Sequence, residues 1–394
     1  MSDNSAFRPM ILGQFGPPVL ACLRSWGKQG WQPGLICIGK SSEPLPASRH
    51  LAASYRLDPG LLYTEEGIRA IRSCLASFKA AGLLCIQERQ AMWLDQNRDV
   101  LKGFALWVPS ADTTKRILSK RRQISTAQAV GLEVLPTYYV DKEKVDVLEG
   151  IPEEHFPLCL RPSGEGGVVP SFKVYLARAR QEAIAFVQGL ERIGSPLIAQ
   201  PFRNLPNLVV HGARSEEGAT YGLQGFLVER KFEGLTLTIR PMELSEDFRK
   251  RCMDFTRELG VVGSYHFEFL YDPREGETYF LELNARLGGT TAKVFACGYD
   301  EPALALKAYG VHPVKERGLR NVTASSRLAL GKYLQYAAAS RITELDYPLE
   351  PRWKSIPKTL WGMAFYRDDV ISFKDLKGTW AFYRQALNGR LGAW

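Results

Sequence analysis

Residues 265–291, YHFEFLYDPREGETYFLELNARLGGTT, hold the densest set of groups able to do chemistry. Two runs with period-two alternation flank the turn cluster Asp272-Pro273-Arg274-Glu275-Gly276-Glu277, a β-hairpin signal. Side chains on a strand alternate between faces. Phe267, Phe269 and Tyr271 therefore share one face of the first strand, with His266, Glu268 and Leu270 on the other. In the second strand Leu281, Leu283, Ala285 and Leu287 are expected on the apolar face, and Glu282, Asn284 and Arg286 opposite. Pairing the strands would bring two carboxylates, an amide, an imidazole and a guanidinium to one surface. Carboxylate and amide oxygens are hard donors that suit Mg²⁺. A guanidinium beside them could grip a carboxylate or phosphate through two parallel hydrogen bonds. The simpler alternative is a hairpin with one face in the core and the other in water.

The rest of the chain must position that hairpin. Its 394 residues suffice for two or three domains, and 45% hydrophobic with 24% charged residues is ordinary for a soluble globular protein. No apolar run reaches the length of a membrane span, and the N-terminus shows no secretory pattern, so a cytoplasmic location is expected. Seven cysteines without a C-x-x-C pair read as reduced residues, Cys22, Cys37, Cys85, Cys159 and Cys297 in apolar surroundings; the five histidines show no metal-ligand spacing. The net charge of +9 is uneven: residues 313–394 hold 14 Lys/Arg against 7 Asp/Glu and half of the eight tryptophans. Such a segment could touch a membrane, a nucleic acid or an anionic substrate. The favoured expectation is that its aromatics pack on its own core while its charges stay solvated. No nucleic-acid partner is expected.

Residues 9–39 read strand, loop, helix, strand: Pro9–Leu12, a turn-rich link through Gly13 and Gly16, Val19–Gly30 and Leu35–Ile38. That order implies a parallel sheet with right-handed crossovers. Gly13 and Gly16 make no dinucleotide fingerprint. A helix, 65–81, and a strand, 83–87, continue the alternation. From about residue 113 the character changes. A basic helix is expected over 113–130, ended by Gly131, then a strand over 133–135. A strand over 156–160 leads into the loop Arg161-Pro162-Ser163-Gly164-Glu165-Gly166-Gly167, whose backbone N–H groups could cradle phosphate oxygens. A helix over 179–193, a strand over 196–200, further strands to about 240 and a helix over 245–259 precede the hairpin.

The order of basic helix, strand with R-P-S-G-E-G-G loop, strand ending in Gln-Pro-Phe, helix, F-E-F strand and L-E-L-N-A-R-L-G-G resembles the ATP-grasp superfamily over residues 1–312. It is most similar to carboxylate–amine ligases of the D-aspartate ligase and carbamoyl phosphate synthetase-like kind. Leu23-Arg24-Ser25-Trp26-Gly27 and Ser48-Arg49-His50 resemble the corresponding helix and loop of that group's first domain. The resemblance implies an α/β chain, α+β in its ATP-grasp part. A Rossmann-like N-terminal domain (1–112) would precede a two-lobed ATP-grasp domain (113–193 with a glycine-rich lid, 194–312 with the metal site) and a basic C-terminal extension (313–394). It implies that Lys120 contacts the nucleotide and that Arg161, where the family has a second lysine, reaches the phosphates beside Ser163, Gly166 and Gly167. Gln200 through Phe202 would hold adenine, and Asn207 falls where a ribose-binding acid often lies. Glu268, Glu282 and Asn284 would ligate Mg²⁺, with Mn²⁺ as an alternative. Arg286 would bind the acyl phosphate or substrate carboxylate, and His266 stands where some members have a phosphate-stabilising arginine.

Two departures bear on activity: Arg161 keeps the charge without the compact ammonium, and His266 titrates near neutrality. The implied reaction is ADP-forming amide synthesis from ATP, a small carboxylate and an amine through an acyl phosphate. The rivals are an ATP-grasp kinase or carboxylase-type member, an ATP-binding module without catalysis and, on the basic tail alone, a nucleic-acid binder. A homodimer is compatible with the sequence.

Overall fold

The computed structural model describes residues 7–164, 167–312, 314–315 and 318–387; Glu165, Gly166 and Trp394 lie outside them. The chain is a mixed α/β protein with several sheets. Its first part places β1 (Pro9–Gly13), α1 (Pro17–Lys28), β2 (Gly34–Ile38), β3 (Ala53–Leu57), α2 (Glu65–Phe78), β4 (Gly82–Cys85), α3 (Glu88–Gln96) and β5 (Ala105–Leu106) around a parallel sheet of order β3-β2-β1-β4-β5. β1 and β2 are buried at every position, as apolar runs covered on both faces must be. Met10, Leu12 and Ile36 pack against Ile68, Ile71 and Leu75 of α2 and Trp93 and Leu94 of α3. Ile11 and Leu35 face the other way, onto Val19, Leu20, Leu23 and Trp26 of α1.

The expected helix over 113–130 is two helices, α4 (Ala111–Leu118) and α5 (Lys120–Ala129). Ser119 breaks it with ψ 96° and caps α5, its side chain accepting from the Arg122 N–H. The strand expected over 133–135 does not form. Pro136 cannot donate to a ladder, and the Glu133 carbonyl instead takes one bond from the Phe280 N–H. β6 (Tyr138–Val140), β7 (Leu158–Arg161), β8 (Val168–Val169), β9 (Tyr175–Ala177), α6 (Arg180–Gly189), β10 (Arg192–Ile193) and β11 (Leu197–Pro201) follow. Four of these strands form an antiparallel sheet of order β6-β11-β7-β9, covered by Ala183 and Val187 of α6.

The largest sheet gathers β12 (Asn207–Arg214), β13 (Thr220–Phe232), β14 (Leu235–Met242), and, after α7 (Glu246–Leu259), the hairpin strands β15 (Gly263–Asp272) and β16 (Glu277–Asn284). α7 is capped by the Ser245 hydroxyl at its start and by left-handed Gly260 at its end. It presses Phe255 onto Phe267 and Phe280. α8 (Thr291–Ala296) and α9 (Glu301–Lys307) follow, then β17 (Ala324–Ser325), α10 (Arg327–Ala338), α11 (Arg352–Phe365), β18 (Arg367–Asp368) and α12 (Leu376–Leu387). The sheet order is β16-β15-β12-β13-β14-β17-β18.

Two further expectations fail. A bulge between Glu268 and Phe269 pairs Phe269 with Phe280 and leaves Leu281 over, so Phe280, not Leu281, enters the core beside Leu283. The aromatics of the C-terminal segment are not all internal: Trp353, Trp361 and Trp380 are 72%, 59% and 68% exposed.

The segment is nevertheless anchored. Asp375 accepts from Arg24 Nε (3.0 Å), Ser48 Oγ (2.9 Å) and the Arg49 N–H (2.8 Å). Val370 and Phe382 join the α1-side core of the first sheet.

Candidate active site

β15 and β16 pair antiparallel with His266 opposite Asn284 and Glu268 opposite Glu282. The register thus puts both carboxylates and the amide on one face, as the alternation required. α5 delivers Lys120 from its first turn; its Nζ lies 2.9 Å from Glu282 Oε2. β7 delivers Arg161, whose Nη1 is 3.8 Å from the same oxygen. The second amino group of Arg161 donates to Gln200 Oε1 and to the Leu281 carbonyl, both at 3.1 Å. That carbonyl belongs to the bulged residue. Gln200 is steadied in turn by donating to Thr137 Oγ1 (2.8 Å), and Asn284 Nδ2 donates to Glu282 Oε1 (3.1 Å).

The electrostatics of the two acids diverge. Burial and the neighbouring Glu282 push Glu268 above the usual carboxylate range. Burial acts on Glu282 in the same sense, but Lys120 and Arg161 outweigh it and hold that group below the range. The Glu268 side chain remains 35% exposed, enough to receive an incoming cation. Two facing carboxylates with an amide oxygen beside them form a hard donor set, and their repulsion is what a divalent cation relieves. The residues present fit Mg²⁺.

A cavity of about 460 Å³ adjoins this cluster through Arg161, and Leu135, Gln200, Phe202, Asn207 and Leu281 line it. Its size and largely apolar wall suit a planar base. Asn207 Oδ1 accepts from Lys231 Nζ at 2.9 Å. Arg286 lies on the other side of the metal-type ligands, its Nε donating to Glu88 Oε1 of α3 at 2.7 Å. Ser163 and exposed Gly167 (φ 66°) lie on the loop after β7, and among the described residues the Ser163 side chain makes no bond to the cluster; Gly166 is outside the described residues. His266 is placed behind the ligands. It stacks on His211, its Nδ1 is 3.3 Å from the Arg286 carbonyl, and burial and then His211 hold it neutral, well below the ordinary histidine value. His211 is itself satisfied by Glu301 (2.7 Å) and Thr290 (3.1 Å).

Three contributors escaped sequence reasoning. Glu88, 198 positions from Arg286, carries no local signal. Lys231 is the penultimate residue of β13. Gln123 is buried in α5, where it donates to the Ile117 and Leu283 carbonyls and accepts from the Leu283 N–H. It thereby fixes β16 next to its two ligands. Its only legible signal is a polar residue on the helix face that carries Ile124 and Ala127 into the core.

The carbamoyl-phosphate synthase L chain, ATP-binding domain family matches residues 238–307, the stretch from β14 through α9 that contains Glu268, Glu282, Asn284 and Arg286. Over 82% of its length the chain shares the ATP-grasp fold. Among solved structures it is similar to the biotin carboxylase–β,γ-ATP complex of Campylobacter jejuni, with a TM-score of 0.58 and 15% identity over 82% of this chain and 75% of that one. It is similar to the L-amino acid ligase of Bacillus licheniformis, with a TM-score of 0.57 and 17% identity over 76% and 73%. For the N5-carboxyaminoimidazole synthetase of Staphylococcus aureus the values are 0.60 and 13% over 86% and 88%. No curated protein matches the chain in sequence.

Proposed function

We propose that the protein is an ATP-dependent, ADP-forming carboxylate–amine ligase that makes an amide through an acyl phosphate. The observation that carries this reading is the convergence of Lys120, Arg161, Glu268, Glu282 and Asn284 beside a base-sized cavity, with Arg286 beyond. The likeness to an L-amino acid ligase supports the same chemistry.

In this reading the nucleotide base enters the cavity between Leu135 and Phe202, with Gln200 and Asn207 at its polar edges. Arg161 reaches from the cavity wall to the phosphates. Lys120 leaves Glu282 for the phosphates when the nucleotide arrives, which frees the carboxylate. Glu268, Glu282 and Asn284 would hold Mg²⁺, which would offset the charge that builds on transfer of the γ-phosphoryl group. The substrate carboxylate attacks that group, and the acyl phosphate lies against the outer edge of Arg286. The amine then attacks the acyl carbon and expels phosphate. Ser163 and Gly167, on the loop after β7, serve as a lid that keeps water from the intermediate. His266 acts as a neutral spacer behind the ligands. The parallel sheet of residues 1–112 serves as a Rossmann-like domain that presents the substrate, residues 113–193 and 194–312 act as the two lobes that close on ATP, and residues 313–394 form the appended extension.

The test is product analysis of the purified protein with ATP, Mg²⁺ and pooled carboxylates and amines. ADP and phosphate in equal amounts, only when both pools are present, is the expected result. A stable phosphorylated product without free phosphate identifies a kinase and overturns the ligase reading.

A further inference from the structure

α11 is inside out. A surface helix turns its apolar stripe to the core and its polar face to water. Here the side chains nearest α10 include Ser355, Thr359 and Gly362, all buried, with only Ile356 and Met363 adding apolar area. The outward positions, at spacings of four, three and one, are Trp353, Pro357, Leu360, Trp361, Ala364 and Phe365. Leu360 is 50% exposed and Phe365 67%, and the Trp361 and Phe365 rings rest on each other at 4.1 Å. α12 also shows water apolar side chains: Leu376, Trp380 and Leu387, and Phe373 in the 3-10 turn before it, are each more than half exposed.

Within the segment that carries these stripes the unpaired charge has one sign. Between residues 341 and 387 every acid is buried or paired. Glu344 pairs with Arg178, Glu350 with Arg230 and Lys358, Asp369 with Lys293 and Asp375 with Arg24. Buried Asp346 and Asp368 accept backbone N–H groups. Arg352, Lys354, Arg367, Lys374, Lys377 and Arg384 remain exposed.

We propose that this extension is a docking surface for an anionic lipid bilayer, with α11 lying flat in the headgroup region. Large aromatic and leucine side chains enter the acyl boundary while lysine and arginine meet the headgroups, the pattern of an interfacial helix. Tryptophan suits that depth, since its ring is apolar and its N–H finds water or headgroup oxygens. No helix of the described residues is long and apolar enough to cross a membrane, so the contact is peripheral. A second copy of the chain on the same face would set like charges against each other.

The experiment is co-sedimentation of the full chain with vesicles of phosphatidylglycerol and phosphatidylcholine, compared with phosphatidylcholine alone. Binding to the anionic vesicles at least about tenfold tighter, and weakened by salt, is expected. Trp361→Glu with Phe365→Glu abolishes it without shifting the unfolding midpoint. Lys354→Glu with Lys377→Glu removes only the anionic preference. Should a variant fail to fold, the wild-type protein still reports: its tryptophan emission moves to shorter wavelength when anionic vesicles are added. Absence of pelleting and of that shift overturns the proposal. So does a wild-type dimer in light scattering that the Trp361/Phe365 variant dissolves, because a second copy would then cover the face. Turnover in solution plays no part in these readouts, so they stand apart from the ligase assignment.

Discussion

Glu268 and Glu282 are partners across β15 and β16, and their surroundings move their proton affinities in opposite directions. Glu282 faces Lys120 and Arg161; Glu268 faces Glu282 itself. Lys120 and Arg161 thus offset the charge of Glu282, and the lysine stands where a metal would help most.

Glu282→Gln is accordingly expected to lower Mg²⁺-dependent ATP turnover by about 10²-fold or more, as loss of a charged ligand at a phosphoryl-transfer site does. The fold survives, because Lys120 is 26% exposed and can turn to water. Steady-state ADP release alongside a thermal melt checks both halves. Undiminished turnover at saturating Mg²⁺ rejects the ligand role.

Arg161→Lys keeps the charge but loses the fork that grips Gln200 and the Leu281 carbonyl. The KM for ATP is expected to rise about tenfold, the equivalent of one or two hydrogen bonds, with a smaller change in kcat. Initial rates across an ATP series measure the split; a fall in kcat alone contradicts a nucleotide-gripping role.

Gln123→Leu leaves the Leu283 N–H and carbonyl buried without their partner. A loss of about 2–4 kcal/mol in urea unfolding is expected. A variant as stable as the parent shows that the two groups find other partners and that Gln123 does not set the position of β16.

Asp375→Asn tests the clasp of the C-terminal extension. Burial pushes the Asp375 carboxyl up, but the Arg49 N–H, Arg24 and Ser48 outweigh it and hold it below the ordinary range. A depressed acid contributes stability above its unfolded value of about 4 and loses it as pH falls through the lower folded value. The asparagine variant should be about 2–4 kcal/mol less stable near neutrality, with the gap closing below pH of about 4. Unfolding midpoints from pH 3 to 7 decide it; a gap that does not depend on pH speaks against a charged clasp.

The polar face of the hairpin was legible because strand alternation has a period of two and Glu268, Glu282 and Asn284 obey it. The bulge at Leu281 was not, since one extra residue leaves the pattern on either side unchanged. The break at Ser119 had a visible cause, a capping serine before Lys120, hidden by the run of basic helix formers around it. The N-terminal motifs Leu23–Gly27 and Ser48–His50 were legible only as a resemblance, and in the structure Arg24, Ser48 and Arg49 hold Asp375. That contact spans the chain and has no local signature. Trp353, Trp361 and Trp380 escaped because aromatic residues usually go inward.

The Arg24–Asp375 bond joins residues 351 positions apart. At about 5–20 residues per second, a ribosome finishes the second partner roughly 18–70 s after the first. Throughout that interval α1 shows water the apolar side that Val370 and Phe382 later cover. The nascent protein thus carries an open flank on its earliest-made sheet, and a chaperone meeting it during synthesis would find its binding site on α1.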